Sequence, residues 1–442
     1  MKLTKIATAL LFLAPAYLSA ATQDFTYRNG YKITVDQASP EVSIQIKDNK
    51  PTQSISTPNS NGISHNYFSE FNVGKRGLNI DNAPSARVII NEVTGSNISQ
   101  LDGKMAVMGK QASLIIANPN GINCNNCGVS NVSHLTLLAG NTAPDVATGK
   151  LTGFKNISGN VLVNNVKNNA IQSNLTITAV SADIRNSEIN APMTTLNVGA
   201  EKIDFSKNIT SQIAKQKLDR GYLINEAKTH SVSGIGEDTK IKGSLTVNAT
   251  NSSFSNDGAI TGNTVNLNLL HSEFMNDGYI KASTINVNAK DGSISNGKTL
   301  FAKQLSGKYN GDFSLYNNAA TDGKSTFSVG TLTLTSNNIN NPIDLNNSEY
   351  QGVYRDNTLK IDNKSSFYVS SLNINGSHDT INIKNEHIMG AGLVNINGGS
   401  VTLHNDKLLA VKAGSAVHGI LGTFGNGMNH EHITATTHDF DM

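Results

Sequence analysis

Two cysteines, Cys124 and Cys127, flank Asn125-Asn126, and a thiol pair at that spacing can ligate zinc, cycle as a redox couple or close a short covalent loop. Structural zinc takes about four ligands, and no second Cys or His pair at metal spacing stands nearby. A thioredoxin-like pair needs a strand–helix–strand setting, which the surrounding pattern lacks. The other groups able to do acid–base work, Glu70, Glu92, Glu201 and His134, stand singly in strand-like sequence. Neither a nucleophile motif nor a glycine-rich phosphate loop accompanies them. No catalytic constellation, cofactor site or metal site is therefore expected. Glu92 follows Asn91 inside an apolar segment, where it either faces the interior of the fold as a hydrogen-bonded buried carboxylate or faces outward toward a partner; the interior, structural role is favoured. Near the end, His418, His430, His432 and His438 with Asp439 and Asp441 are metal-ligand types, but Gly422, Gly425 and Gly427 make that segment a poorly preorganised site.

The cysteines follow a punctuated stretch, Ala117-Asn118-Pro119-Asn120-Gly121-Ile122-Asn123, which itself follows the apolar run Leu114-Ile115-Ile116. Pro119 fixes its own φ and pushes Asn118 toward an extended conformation, while Asn120-Gly121 tolerates the positive φ of a tight turn. A strand is thus expected to end in a specified turn just before the cysteine pair.

At the amino terminus, Lys2 and Lys5 precede an apolar segment from Ile6 to Ala16, and Ser19-Ala20-Ala21 supplies small residues for a signal peptidase. The segment is about half of the roughly 20 residues a membrane-spanning helix needs. Residues 1–21 therefore read as a cleaved export signal, and an oxidising destination favours the local disulfide between Cys124 and Cys127. The 35 basic and 33 acidic residues give a formal charge of +2, which falls to 0 once Lys2 and Lys5 leave with the signal. Such balance offers nothing to hold nucleic acid. Asn, Ser, Thr and Gly abound, tryptophan is absent and 15% of residues are charged, yet Val, Ile and Leu recur at period two, as in Tyr31-Lys32-Ile33-Thr34-Val35 and Val42-Ser43-Ile44-Gln45-Ile46. Alternation of this kind marks half-buried strands, so the chain reads as all-β.

Further along, Phe254-Ser255-Asn256-Asp257-Gly258 recurs as Phe274-Met275-Asn276-Asp277-Gly278 and more weakly at Ile294-Ser295-Asn296-Gly297. Leu245-Thr246-Val247-Asn248 is echoed at Val265 and Ile285 with the same spacing of twenty. Short repeats without helical periodicity predict a β-solenoid whose coils cover one another. In such a stack Asn256, Asn276 and Asn296 can pass amide hydrogen bonds from coil to coil.

Phe71-Asn72-Val73-Gly74, the segment Ala86 to Asn97 containing Asn91-Glu92-Val93, and Ala117 to Gly128 occur in an order that resembles the secretion domain of two-partner secretion exoproteins. These include filamentous haemagglutinins, haemolysins and contact-dependent inhibition proteins of Gram-negative bacteria. The resemblance is densest over about residues 60 to 140 and looser to about 235. It implies a right-handed parallel β-helix (β-solenoid) with an amino-terminal β cap, and it assigns Asn118, Pro119, Asn120, Gly121 and Ile122 to the secretion motif, with Asn91, Glu92 and Val93 as a secondary motif. A first Asn-Pro-Asn-Leu motif usual in relatives is missing, because Asn79 to Pro84 runs almost directly into the Asn-Glu-Val segment. The expected organisation is a signal at 1–21, a secretion domain at 22–235, repeats at 236–400 and a tail at 401–442. The resemblance further implies export through the periplasm and an outer-membrane β-barrel transporter with periplasmic recognition domains. The product is expected to be secreted or on the cell surface, acting as an adhesin toward a host-cell or bacterial surface receptor. A haemolysin-type toxin and a β-helix polysaccharide-active enzyme are the alternatives.

Overall fold

The computed structural model describes residues 23–167, 169–207, 231–319, 325–337, 357–411, 415–420 and 433–436. The expected signal at 1–21 lies outside them. Every regular element among the described residues is a strand, and most pair in parallel into one continuous sheet that winds through successive coils. The chain is a parallel β-helix capped at its amino-terminal end.

The cap is where pairing changes sense. Asp24–Thr26 pairs antiparallel with Lys32–Val35, which pairs antiparallel with Ile63–Phe71; the latter pairs in parallel with Val88–Val93. On another face Ile44–Lys47 pairs antiparallel with Lys50–Ser54, which is parallel to Leu78–Asn82. Antiparallel strands thus close the starting edges of two faces, and edges left open would template association with other chains.

Each early coil visits three faces. Ala112–Ala117 lies on the first, Ile122–Asn125 on the second and Gly128–Ser130 on the third, and Val132–Leu138 returns to the first. Register carries the stacking. Ile116 lies beside Leu137, then Ile177, Leu196, Val247, Leu267 and Val287. Burying each such side chain contributes about 1.5–3 kcal/mol relative to leaving it exposed.

The spacing of twenty appears directly as register: Ala259 to Leu270 align with Tyr279 to Lys290. At the Asn-Asp-Gly corner the coils pack so closely that a Cβ on Gly278 would sit 2.2 Å from the Gly258 carbonyl oxygen. Inside, Asn256 donates to Asn276 at 2.8 Å and Asn276 to Asn296 at 2.8 Å. The ladder continues through Asn317, Asn363, Asn385 and Asn405 at 2.6–2.9 Å, every Nδ2 pointing toward the next coil. Before Asn256 the same column is apolar, running back through Ile235, Ile184, Val163 and Cys124 to Leu101.

Outside, the first face carries two parallel columns of residues. One passes through Thr195, Thr246, Asn266, Asn286 and Ser306 to Thr333, Asn373 and Asn395. The other passes through Asn197, Asn248, Asn268, Asn288 and Lys308 to Thr335, Asn375 and Asn397.

Parallel pairing runs without a break across residue 235, where Ser231–Ile235 joins Ser181–Arg185 to Ser252–Asn256. Nor does it stop at 401. Met389–Asn405 spans that position, and Ser415–Ile420 and Ile433–Thr436 add in parallel beyond it. Val401-Thr402-Leu403 keeps the in–out alternation that a coil requires, with Val401 and Leu403 buried, so the solenoid extends into the stretch expected to be a tail.

Candidate functional site

Asn118 to Gly121 forms the corner between the first and second faces. The Asn118 side chain is fully buried, and its Nδ2 donates to the Asn97 carbonyl at 2.9 Å and to Ser99 Oγ at 3.0 Å. Its Oδ1 accepts from the Asn120 backbone N–H and from Asn120 Nδ2, both at 2.9 Å. Asn120 Nδ2 also reaches the Gly95 carbonyl at 2.7 Å. The two amides therefore tie this corner to the preceding coil. Of the pair expected to take a positive φ, Gly121 does so at +116°, whereas Asn120 does not. A Cβ on Gly121 would meet the Asn160 carbonyl oxygen at 2.9 Å. Pro119 is half-buried and its carbonyl accepts from Ser158 Oγ at 2.9 Å, and Ile122 is buried.

The next corner of the same coil is covalent. Cys124 and Cys127 are joined by a disulfide with Cα atoms 5.2 Å apart, and both are fully buried. Asn126 takes φ +60° between them. One coil thus has two consecutive corners fixed, the first by side-chain amides and the second by a sulfur bridge.

Asn91, Glu92 and Val93 divide between inside and outside. Asn91 and Val93 are fully buried. Asn91 exchanges two hydrogen bonds with Gln53 of the cap, at 2.8 and 2.9 Å, and accepts a third from Asn66 at 3.2 Å. This is a cap-to-coil weld, and all three amides are fully buried. Glu92 points outward from the first face yet is only 7% exposed, because a hairpin covers it. Asn141–Pro144 and Leu151–Lys155 pair antiparallel, and Ile203–Asp204 adds to them. Their apolar side packs a second core, with Phe154 and Ile157 against the outward-facing Ile90, Ile115, Ala117 and Leu138.

Beneath that hairpin Glu92 accepts from Asn141 Nδ2 at 3.0 Å, from the Thr142 hydroxyl and backbone N–H, and pairs with His65 Nε2 at 3.0 Å. The His65 ring stacks on Tyr67 at 4.3 Å between centroids. Burial pushes the Glu92 carboxyl up, but hydrogen bonds from His65, Thr142 and Asn141, with the His65 charge, outweigh it and hold the group below the usual glutamate value. The carboxylate is a hydrogen-bonded structural anion, but it lies outside the solenoid beneath the hairpin and not in the expected interior, because Asn91 takes the inward position and strand alternation turns Glu92 outward.

The remaining acid–base candidates are dispersed. His134 contacts Thr176 Oγ1 at 2.8 Å, and burial lowers its pKa; Glu70 accepts from Asn72 Nδ2 at 2.8 Å. The Glu201 carbonyl receives the Ile157 N–H at 3.0 Å, which ties the covering hairpin to a later coil. None of these approaches the Glu92 cluster as a reacting group. His418 continues the outer column that contains Asn397 and is itself followed by Thr436, while His430, His432, His438, Asp439 and Asp441 lie outside the described residues. Among the described residues no three His, Cys, Asp or Glu side chains gather in a metal-binding arrangement.

Sequence reasoning did not find the covering hairpin, Gln53, Asn66, His65 or Thr142. A signal for the hairpin exists in Leu114-Ile115-Ile116 and Leu137-Leu138, since consecutive apolar residues in a strand mean that both faces are covered.

A family model described as TPS secretion domain matches residues 31–282. The chain is 39% identical over 165 residues to the 16S rRNA endonuclease CdiA of Enterobacter cloacae subsp. cloacae, covering 32% of this chain and 5% of that protein. It is 34% identical over 170 residues to a hemolysin of Serratia marcescens, covering 34% of this chain and 10% of that protein. The matched stretches are thus small parts of much longer relatives. Among solved structures, the filamentous hemagglutinin secretion domain matches with a TM-score of 0.39 and 18% identity, covering 79% of this chain and 99% of that one.

Proposed function

The chain belongs to the two-partner secretion (TPS) family, with its TPS secretion domain over residues 31–282, and we propose that it is a secreted, adhesin-like exoprotein. Members of the family are exported to the medium or the cell surface with an outer-membrane transporter as partner. In this reading residues 1–21 direct the chain to the periplasm and are cleaved. Periplasmic domains of a β-barrel transporter then recognise the region 22–235, and the coils over 236–400 form the effector surface. Exposed strand edges of the incoming chain pair with those domains by β-augmentation, and coil-by-coil folding outside biases the motion outward.

The observation that carries the reading is the Asn118 corner, placed in the family's secretion domain and bonded inward to Asn97, Ser99 and Asn120. It acts by letting an early coil close, which gives later coils a template. A binding role is favoured over a catalytic one because Glu92 and His134 are engaged in structural contacts with His65, Thr142 and Thr176. The likeness to the Serratia marcescens hemolysin supports a membrane-acting toxin as the second reading. Culture supernatant that adheres to target cells without releasing haemoglobin from erythrocytes supports the adhesin; lysis supports the toxin. Transporter-independent export overturns the secretion route itself.

A further inference from the structure

The first face of the solenoid changes character along its length. Over Ile90, Ile115 and Leu138 it is apolar and lies beneath the protein's own hairpin. From Thr195 and Asn197 onward, its two outer columns hold hydroxyl and amide side chains at positions that match from coil to coil. Shallow grooves of about 380 Å³ and about 220 Å³ both lie here, the first lined by Asn266, Asn286 and Ser306 and the second by Thr333, Asn373 and Asn395 among others. We propose that this open face binds an uncharged polysaccharide, laid along the solenoid axis over the two columns. The inference deepens the adhesin reading and rests on it.

Charge and composition choose the occupant. Between Thr195 and Asn397 the described members of the columns include no carboxylate, aromatic, methionine or arginine, and the one cation is Lys308. Protein interfaces draw on aromatic, Met and Arg anchors, and an anionic glycan would need a cationic track. A neutral pyranose chain instead offers hydroxyls that both donate and accept. Along the axis, amides already bond to one another, as Asn286 does to Asn266 at 2.9 Å and Asn395 to Asn373 at 3.1 Å. Each ladder contact engages one N–H of the donor and one lone pair of the acceptor, whereas an amide has two of each. The ladder therefore fixes side-chain orientation before a ligand arrives, which lowers the ordering cost of binding. Columns repeat about every 4.8 Å along the axis and stand about 6.7 Å apart across a strand, a lattice on the scale of successive sugar rings.

The test is native affinity electrophoresis of the purified chain through gels containing galactomannan, mixed-linkage β-glucan or heparin. The expected result is retardation by a neutral polysaccharide that persists from about 0.05 to about 0.5 M salt, a range over which screening weakens charge-driven binding. Asn286→Ala combined with Asn373→Ala, and separately Ser306→Glu, should each weaken retardation at least ~tenfold with circular dichroism unchanged. Asn382→Ala, on another face, should leave it intact. Retardation by heparin alone, by none of the three, or equally by every variant overturns the proposal, as does a salt-stable dimer that the double variant dissolves. Adhesion of cells that survives the double variant would reject this face while leaving the adhesin reading standing.

Discussion

The Glu92 carboxylate receives both the hydroxyl and the backbone N–H of Thr142, fifty positions further along the chain. Glu92 belongs to an early coil and Thr142 to the hairpin that covers it, so one carboxylate fastens the cover to the solenoid.

Acid should loosen that fastening. The folded pKa of Glu92 lies below its ordinary value, so its contribution is fully present above the unfolded glutamate pKa of about 4.3. It is lost as pH falls through the folded value. Glu92→Gln should cost about 2 kcal/mol at neutral pH, because a buried charged acceptor is removed, and should flatten the acid side of the stability profile. Urea midpoints at neutral pH and at about pH 3 check this; parallel profiles for the two proteins would contradict it.

Replacing Asn118 should unfasten a corner. Asn118→Ala leaves the Asn97 carbonyl, Ser99 Oγ and the Asn120 amide without their partner, at a cost of about 1–3 kcal/mol. Asn118→Asp keeps the acceptor toward Asn120 but sets a buried carboxylate oxygen against the Asn97 carbonyl where an N–H stood, so it should be at least as destabilising as alanine. Protease resistance of the purified proteins gives the order, and an alanine variant as resistant as wild type would refute the structural role.

The disulfide closes a short loop, with a sequence separation of 3, so its loop-entropy contribution is modest, about 2 kcal/mol. Reduction should lower the melting temperature of wild type and leave the Cys124→Ser, Cys127→Ser double variant unchanged. A wild-type melting curve indifferent to reductant would contradict it.

The interior ladder predicts an asymmetry. Asn276 both accepts from Asn256 and donates to Asn296, whereas Asn256 lies against Ile235 and its buried Oδ1 lacks a partner among the described residues. Asn256→Ile extends an existing apolar column and interrupts one link; Asn276→Ile interrupts two. Denaturant unfolding should show Asn276→Ile more destabilising by about 1 kcal/mol, and equal losses would argue against a directional ladder.

What was legible in the sequence was local or periodic. Pro119 and Gly121 declare a corner by their own backbone preferences, and Asn256, Asn276 and Asn296 declare a stack by their spacing. What stayed hidden depends on partners distant in sequence. Glu92 faces outward by strand alternation, and whether it is solvated or buried there is decided by Asn141 and Thr142, as the buried role of Asn91 is by Gln53 in the cap. Period-two reading assigns one face of a strand to solvent, so Ile115 and Leu138 passed as ordinary strand residues until the hairpin supplied their cover.

The central claim is that these coils are exported by a dedicated transporter because the Asn118 corner lets them fold. The direct measurement expresses wild type and Asn118→Ala with and without an outer-membrane transporter of the two-partner type, and quantifies each chain in periplasm and medium. The account predicts wild type in the medium only when the transporter is present, and Asn118→Ala largely retained or degraded. Wild type held in the periplasm beside a functional transporter, or Asn118→Ala exported as well as wild type, would contradict it.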